Sequence, residues 1–325
     1  MIGFPIEVPA LSRRSADRSE DLRDPTRLAA AWPGALVLEV DPDGRADIVE
    51  HFGGDGAVAA GSGLAPDGDG WGSGTLGDTP VLLMRPAKIY GAAPPAGAVL
   101  LGRMRPPAAE ADVWAVPVAD RRGRPLRDVG ALLGDTDAGL FTTATALLSW
   151  HRQGGFCPGC GLASSPTESG WTRICPRGHQ EFPRTDPAVI MLVHDGAGQM
   201  VLARQSVWPP HRYSVLAGFV EAGEALEATV VREVAEEIGV QVDQVGYLGS
   251  QPWPFPRSLM IGFTARAQPD APLVPRDGEI EQARWVDRDR IRALLAAGGD
   301  DGELALPPPI SIARRMIEGW AAETP

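Results

Sequence analysis

The stretch that constrains this chain most runs from Gly218 to Val240, GFVEAGEALEATVVREVAEEIGV. Beyond Gly223 and Glu224, the apolar residues Leu226, Val230, Val234 and Ile238 recur every four positions, which lines them along one stripe of a helix facing a core. Gly239 predicts the helix stop, because glycine takes the left-handed conformation that ends helices without a Cβ penalty. Along the edge of the stripe stand Glu233, Glu236 and Glu237, so close in helical spacing that their carboxylates gather in one sector. Like charges placed this way cost about 0.2–0.5 kcal/mol per pair. A chain that keeps them needs solvent to screen them or a cation to use them, and Arg232 neutralises only part of the charge. By composition alone, a solvated acidic face and a cation site stand level.

The complete spacing separates the two. Gly218 is followed after five residues by Glu224, and after seven more by Arg232, Glu233 and aliphatic Val234; Glu236, Glu237, Gly239 and aliphatic Val240 complete nine defined positions in a 23-residue span. This pattern resembles the Nudix box of hydrolases that act on nucleoside-diphosphate-linked compounds, with no departure at a defined position. The resemblance implies cleavage of a pyrophosphate bridge with divalent cations held by the glutamates.

The chain has 325 residues, enough for two or three domains with a sizeable core. It has no apolar run of about 18 residues, and its start lacks the basic-then-apolar layout of a signal peptide. The expectation is therefore a cytoplasmic protein with no membrane partner. A formal charge of −12 argues against a protein devoted to gripping nucleic-acid backbone. An anionic substrate would need metal ions or local arginines. The three cysteines form no even-numbered disulfide framework.

Residues 1–137 read as a small N-terminal domain with strands at Val81–Met84, Ala98–Leu101 and Val113–Val118, and with a glycine-rich mobile stretch over 53–79. No catalytic constellation stands out there. Residues 138–153 have a helical apolar pattern that ends at Gly154-Gly155, with His151 a packing or capping residue. Cys157-Pro-Gly-Cys160 and Cys175-Pro-Arg-Gly-His179, separated by fourteen residues, have the layout of a zinc ribbon over 154–183. The second knuckle is the weaker half. A repeated Cys-x-x-Cys would need a ligand at Gly178, whereas His179 comes one residue later. Cys157, Cys160, Cys175 and His179 are the favoured structural zinc set; the alternative is a ribbon that persists without metal.

From 184 to 325, apolar runs at Ala188–Val193, Met200–Ala203, Val245–Gly249, Leu259–Ala267 and Ala283–Val286 predict strands on both sides of the acidic helix. Further helices are predicted over Asp289–Ala297 and Ile310–Trp320. The fold expected is α/β: an α/β/α sandwich around a mixed sheet, preceded by the ribbon and a small N-terminal α+β domain. Ser250-Gln-Pro-Trp-Pro-Phe-Pro-Arg-Ser258 has three prolines so placed that neither helix nor ordinary strand is expected. It reads as a rigid extended loop that presents Trp253 and Phe255 to a flat aromatic ligand, or else seals a core or a subunit contact.

Together, the SQPWPFP-x-S loop after the box, the cysteine ribbon before it and the poorly marked N-terminal domain closely resemble the NADH pyrophosphatase family of Nudix hydrolases. The resemblance covers about 138–320 by motif and the N-terminal part by arrangement. It implies that Glu233 and Glu237 ligate two or three Mg²⁺ or Mn²⁺ ions, with Glu236 a further ligand or a water-orienting group. The Ala217 carbonyl and Glu279 would complete the shell. Gln251, Pro252, Trp253, Pro254, Phe255, Pro256, Arg257 and Ser258 would line the dinucleotide pocket, with Phe219 stacking on a base and Ala313 making a backbone contact. Phe182 stands where the family often has tyrosine, so that stacking survives without the hydroxyl. Arg232 and Glu224 would brace helix and loop. The implied reaction splits NADH or NAD into nicotinamide mononucleotide and AMP in a homodimer; removal of NAD caps from RNA 5′ ends is the nearest alternative, and a non-catalytic dinucleotide sensor a more distant one.

Overall fold

The computed structural model describes residues 3–13, 16–49, 79–104, 110–120, 123–276 and 278–323. The glycine-rich stretch expected to be mobile falls, up to residue 78, outside the described residues. The chain divides into two compact units, one of residues 13–184 and one that joins residues 1–12 to 185–325. The first twelve residues thus belong with the C-terminal unit and not with the N-terminal domain to which the sequence reading gave them. The physical reason is Phe4, 6 % exposed within the same core as Ile190 and Trp320.

In the unit of residues 13–184, strands β1 (Leu36–Val40), β2 (Met84–Pro86), β3 (Val99–Arg103) and β4 (Asp112–Pro117) form one sheet in the order β2-β1-β4-β3. Its core packs Trp32 edge-on against Trp114, ring centroids 5.6 Å apart. Helix α1 (Asp135–Gln153) begins slightly before the predicted start and buries Leu140, Phe141, Ala144 and Leu147. At its end, His151 is a packing residue. Its Nε2 lies 2.8 Å from the Gly170 carbonyl and its Nδ1 3.0 Å from Arg173. Burial and the neighbouring guanidinium hold this imidazole below its ordinary pKa. The ribbon follows as three short antiparallel strands, β5 (Ser165–Thr167), β6 (Thr172–Ile174) and β7 (Gln180–Glu181), with β6 in the middle.

The other unit is built on a sheet of β8 (Asp186–His194), β9 (Gln199–Gln205), β11 (Val242–Trp253), β12 (Ser258–Ala267) and β13 (Ile280–Asp287), in the order β11-β12-β8-β9-β13. The short strand β10 (Leu216–Phe219) pairs with the first half of β8. Because β8 runs parallel to β12 and antiparallel to β9, the sheet is mixed. Alternation along β8 puts Val189, Met191 and Val193 in one core and Ile190 and Leu192 in the other. The first core is covered by α2 (Leu226–Ile238), which contributes Val230, Val234 and Ile238 at 0 % exposure. Each of these buried side chains stabilises the fold by roughly 1.5–3 kcal/mol. The second core is covered by α3 (Arg288–Ala296) and α4 (Ile312–Ala322). Helices on both faces of a mixed sheet make the α/β/α sandwich read from the sequence.

One expectation fails. Residues 250–253 are not loop: β11 continues through Gln251, Pro252 and Trp253, pairing Pro252 with Leu259 and Trp253 with Ser258. Proline is tolerated because β11 is the edge strand, where a missing N–H costs no ladder bond. Only Pro254–Arg257 turns, as the tip of a hairpin that contains a cis Phe255–Pro256 bond.

Candidate active site

Strand β10 carries the chain to the first turn before α2, and Gly239 closes the helix in the left-handed conformation at φ 72°. Between them, Arg232 organises the acids. Its guanidinium takes Glu224 through both terminal oxygens, at 2.8 and 2.9 Å, and reaches Glu233 at 2.9 Å, Glu236 at 3.0 Å and the Phe219 carbonyl at 3.0 Å. Glu224 also accepts from the Thr229 hydroxyl at 2.8 Å and the Glu221 amide at 3.2 Å. These bonds, Arg232 foremost, hold the Glu224 carboxyl down to about 2 and push the Arg232 guanidinium up. Together the two groups brace loop to helix.

The acids divide by burial. Glu236 is 55 % exposed, whereas the Glu233 side chain is 14 % exposed and Glu237 only 2 %. A solvated acidic face does not bury two of its carboxylates, so that alternative fails. Burial pushes Glu233 upward, Arg232 opposes the shift, and the charges of Glu236 and Glu279 add to it. The last effect brings Glu279, distant in sequence and exposed just before β13, into the same electrostatic neighbourhood. Across from Glu233 lies Gly218, where an added Cβ would fall inside the Glu233 carboxylate. The glycine therefore makes room for that side chain against the β10 backbone. Gathered, partly buried oxygen donors cost free energy unless a cation meets them, and hard carboxylate oxygens fit Mg²⁺ or Mn²⁺. Glu233, Glu237 and Glu279 could hold such ions.

The remaining predicted residues lie on β10, on the hairpin of β11 and β12, at the start of α4 and in the other unit. Phe219 is 60 % exposed and Ala217 half-buried beside it on β10. Trp253 and Phe255 pack edge to face at 5.1 Å near the hairpin tip, with Pro254 buried and Pro252 and Pro256 exposed. Arg257 pairs with Asp186 at 2.7 Å, and Ser258 is half-buried. Gln251 is 0 % exposed, its amide spent on the Ile310 carbonyl at 2.7 Å and the Ile312 amide at 2.5 Å. It braces the start of α4 to β11. Ala313 is likewise buried, its amide capped by Ser311 Oγ at 3.2 Å. Phe182, 62 % exposed, belongs to the other unit.

In that other unit, Cys157, Cys160, Cys175 and His179 converge, their ligand atoms all within 4.8 Å of one another. His179 Nδ1 stands 3.4 Å from Cys157 Sγ, and Cys160 and Cys175 sulfurs are 3.7 Å apart. The residue after Gly178 therefore supplies the fourth ligand position, and this Cys₃His cluster could hold a metal ion.

A comparison with protein-family models matches residues 184–305 to the NUDIX domain. A Mycobacterium bovis protein named NAD-capped RNA hydrolase NudC is 45 % identical over 97 % of this chain and 95 % of its own length. This chain belongs to the NADH pyrophosphatase family of Nudix hydrolases. Another relative, human NAD-capped RNA hydrolase NUDT12, is 38 % identical over 59 % of this chain and 44 % of its own. A Nudix hydrolase structure from Nitrosomonas europaea is similar over 52 % of this chain and 93 % of its own, at 20 % identity and a TM-score of 0.39. As a Nudix hydrolase, the protein is an enzyme acting on phosphorus anhydrides. Among the described residues, no helix is long and apolar enough to cross a membrane.

Two residues of this Nudix unit escaped the sequence reading. Thr229, 0 % exposed, supports Glu224 from inside the box; its position on the helix stripe beside Val230 was the available signal. Gln205 donates to Glu279, and nothing local in the sequence pointed to it.

Proposed function

We propose that this enzyme hydrolyses the pyrophosphate bond of NADH or NAD, giving nicotinamide mononucleotide and AMP. The observation that carries the reading is the burial of Glu233 and Glu237 on one helix face beside Gly218, with Glu279 close enough to be felt. Glu233, Glu237 and Glu279, with the Ala217 carbonyl, would hold two or three Mg²⁺ or Mn²⁺ ions. Bound there, such cations would supply neutralising charge to the pyrophosphate oxygens and a water of lowered pKa near neutral pH. They also explain how a chain of charge −12 accepts a dianionic substrate.

The protein's own groups do the rest. Arg232 and Glu224 keep α2 and its preceding loop in fixed relation, so that Glu233 and Glu237 meet the substrate without rearranging. Glu236, at the exposed rim, is placed to accept a proton from water or to add a ligand. Trp253, Phe255 and Phe219 offer aromatic surface for the nicotinamide and adenine rings. Arg257 is held at the hairpin tip by its ion pair with Asp186.

A second reading keeps the same chemistry on the NAD cap at the 5′ end of RNA, and the names of both relatives favour it. Comparing kcat/KM on free NADH and on NAD-capped RNA of equal concentration tests the pair. Higher efficiency on NADH supports the first, higher efficiency on capped RNA the second, and activity on neither overturns both.

The Cys₃His cluster is proposed to hold one structural Zn²⁺. Zinc–sulfur bonds near 2.3 Å put two sulfurs of a tetrahedron about 3.8 Å apart, against 3.7 Å between Cys160 and Cys175. Replacing Cys175 with Ser is expected to strip the zinc and lower the melting temperature of the unit that contains it. Zinc content unchanged in this variant, read by atomic absorption, would refute the assignment. A cytoplasmic homodimer completes the proposal, and sedimentation velocity tests its assembly.

A further inference from the structure

Strand β13, which leads away from Glu279, is paired irregularly just where it leaves the site. It keeps regular antiparallel register with β9 from Asp287 opposite Gln199 to Gln282 opposite Arg204, then slips so that Ile280 faces Gln205. The slip breaks the alternation of faces: Ile280 and Ala283 are three positions apart, yet both pack into the core beneath α2. Such bulges bend a strand and re-aim its side chains, frequently beside active sites.

Each residue around this bulge is held from the opposite strand or its following loop. The Tyr213 hydroxyl donates to Gln282, with the Arg284 guanidinium 4.1 Å over the tyrosine ring. Arg204 forms an ion pair with Glu281. Gln205 donates its side-chain amide to Glu279 Oε1. The chemistry of the last two donors differs. A guanidinium neutralises the carboxylate it binds, whereas a carboxamide orients one and leaves its charge in place.

We propose that Gln205 is a positioning residue for the divalent cations, fixing the direction of the Glu279 carboxylate so that it meets ions held by Glu233 and Glu237 already aligned. The inference rests on the reading of Glu279 as a cation ligand. Outer partners that orient metal-binding carboxylates typically contribute about 10–100-fold in metal affinity.

The test is Mn²⁺ binding by the full-length protein without substrate, followed through the electron paramagnetic resonance of free Mn²⁺. Wild type is compared with Gln205→Met, Glu279→Gln, the double variant, and Arg204→Met, which breaks the neighbouring ion pair alone. Gln205→Met matches the side-chain length without the donor; Gln205→Ala replaces it if the melting curve shows misfolding. The proposal expects Gln205→Met to weaken Mn²⁺ binding about 10-fold, Glu279→Gln to weaken it at least as much, and the double variant to match Glu279→Gln alone. Arg204→Met should bind as wild type. Unchanged binding in Gln205→Met, additive losses in the double variant, or an equal loss in Arg204→Met would each overturn the proposal. If Glu279→Gln itself binds normally, the reading of Glu279 falls and the proposal with it, while the role of the α2 glutamates stands.

Discussion

Replacing Glu237 with Gln is expected to lower kcat by about 10³-fold or more, while the protein melts at or above the wild-type temperature. The two outcomes separate because of where the residue lies. Glu237 is 2 % exposed on the core side of the acidic sector, and glutamine matches its shape while removing its charge. A neutral amide is cheaper to bury than a carboxylate, so stability holds. What is lost is one charged oxygen that would face the proposed cations. A loss of roughly 4 kcal/mol in transition-state stabilisation corresponds to about 10³-fold in rate. Turnover of NADH at saturating Mn²⁺ and a thermal melt on the same sample check both halves, and a fully active variant would remove Glu237 from the chemistry.

Gly218→Ala should be nearly as damaging by a different route. The glycine sits within β10, opposite Val189, in backbone that alanine adopts without strain, so the strand itself accepts the change. Its new methyl group would occupy the space of the Glu233 carboxylate. Glu233 must swing away, losing both its place against the strand and its 2.9 Å bond to Arg232. Displacing a positioned group by about 1 Å can cost about 10²-fold in rate, and that is the loss expected in kcat/KM. The cause can be isolated. With the shorter aspartate at 233 the clash is relieved, so Gly218→Ala combined with Glu233→Asp should be no less active than Glu233→Asp alone. Independent, multiplicative losses would mean that the glycine serves the fold and not the carboxylate.

The parts of this molecule that were legible in the sequence are those governed by local rules. The apolar repeat from Leu226 to Ile238 fixes the buried stripe of α2, and Gly239 ends it as expected. Cys157, Cys160, Cys175 and His179 come together because two short turns place their own ligands. Where longer-range pairing decides, local reading fell short. Pro252 suggested a loop, but only the position of its strand in the sheet tells whether a missing N–H matters, and β11 lies at the edge. Gln251 sits in a motif associated with substrate, yet its amide joins residues some sixty positions away, Ile310 and Ile312. Phe4 could not be assigned to the C-terminal core, because nothing near it in sequence marks that partner. The pairing of Gln205 with Glu279 depends on a one-residue slip between strands, which leaves no trace in either strand's own pattern.

The measurement that bears most directly on the account is identification of products from NADH incubated with the protein and Mg²⁺ or Mn²⁺. Cleavage within the pyrophosphate predicts reduced nicotinamide mononucleotide and AMP in equal amounts, formed only when a divalent cation is added and nearly abolished by Glu237→Gln. Release of nicotinamide or free phosphate in their place, or the same products at an undiminished rate in excess chelator, would contradict it.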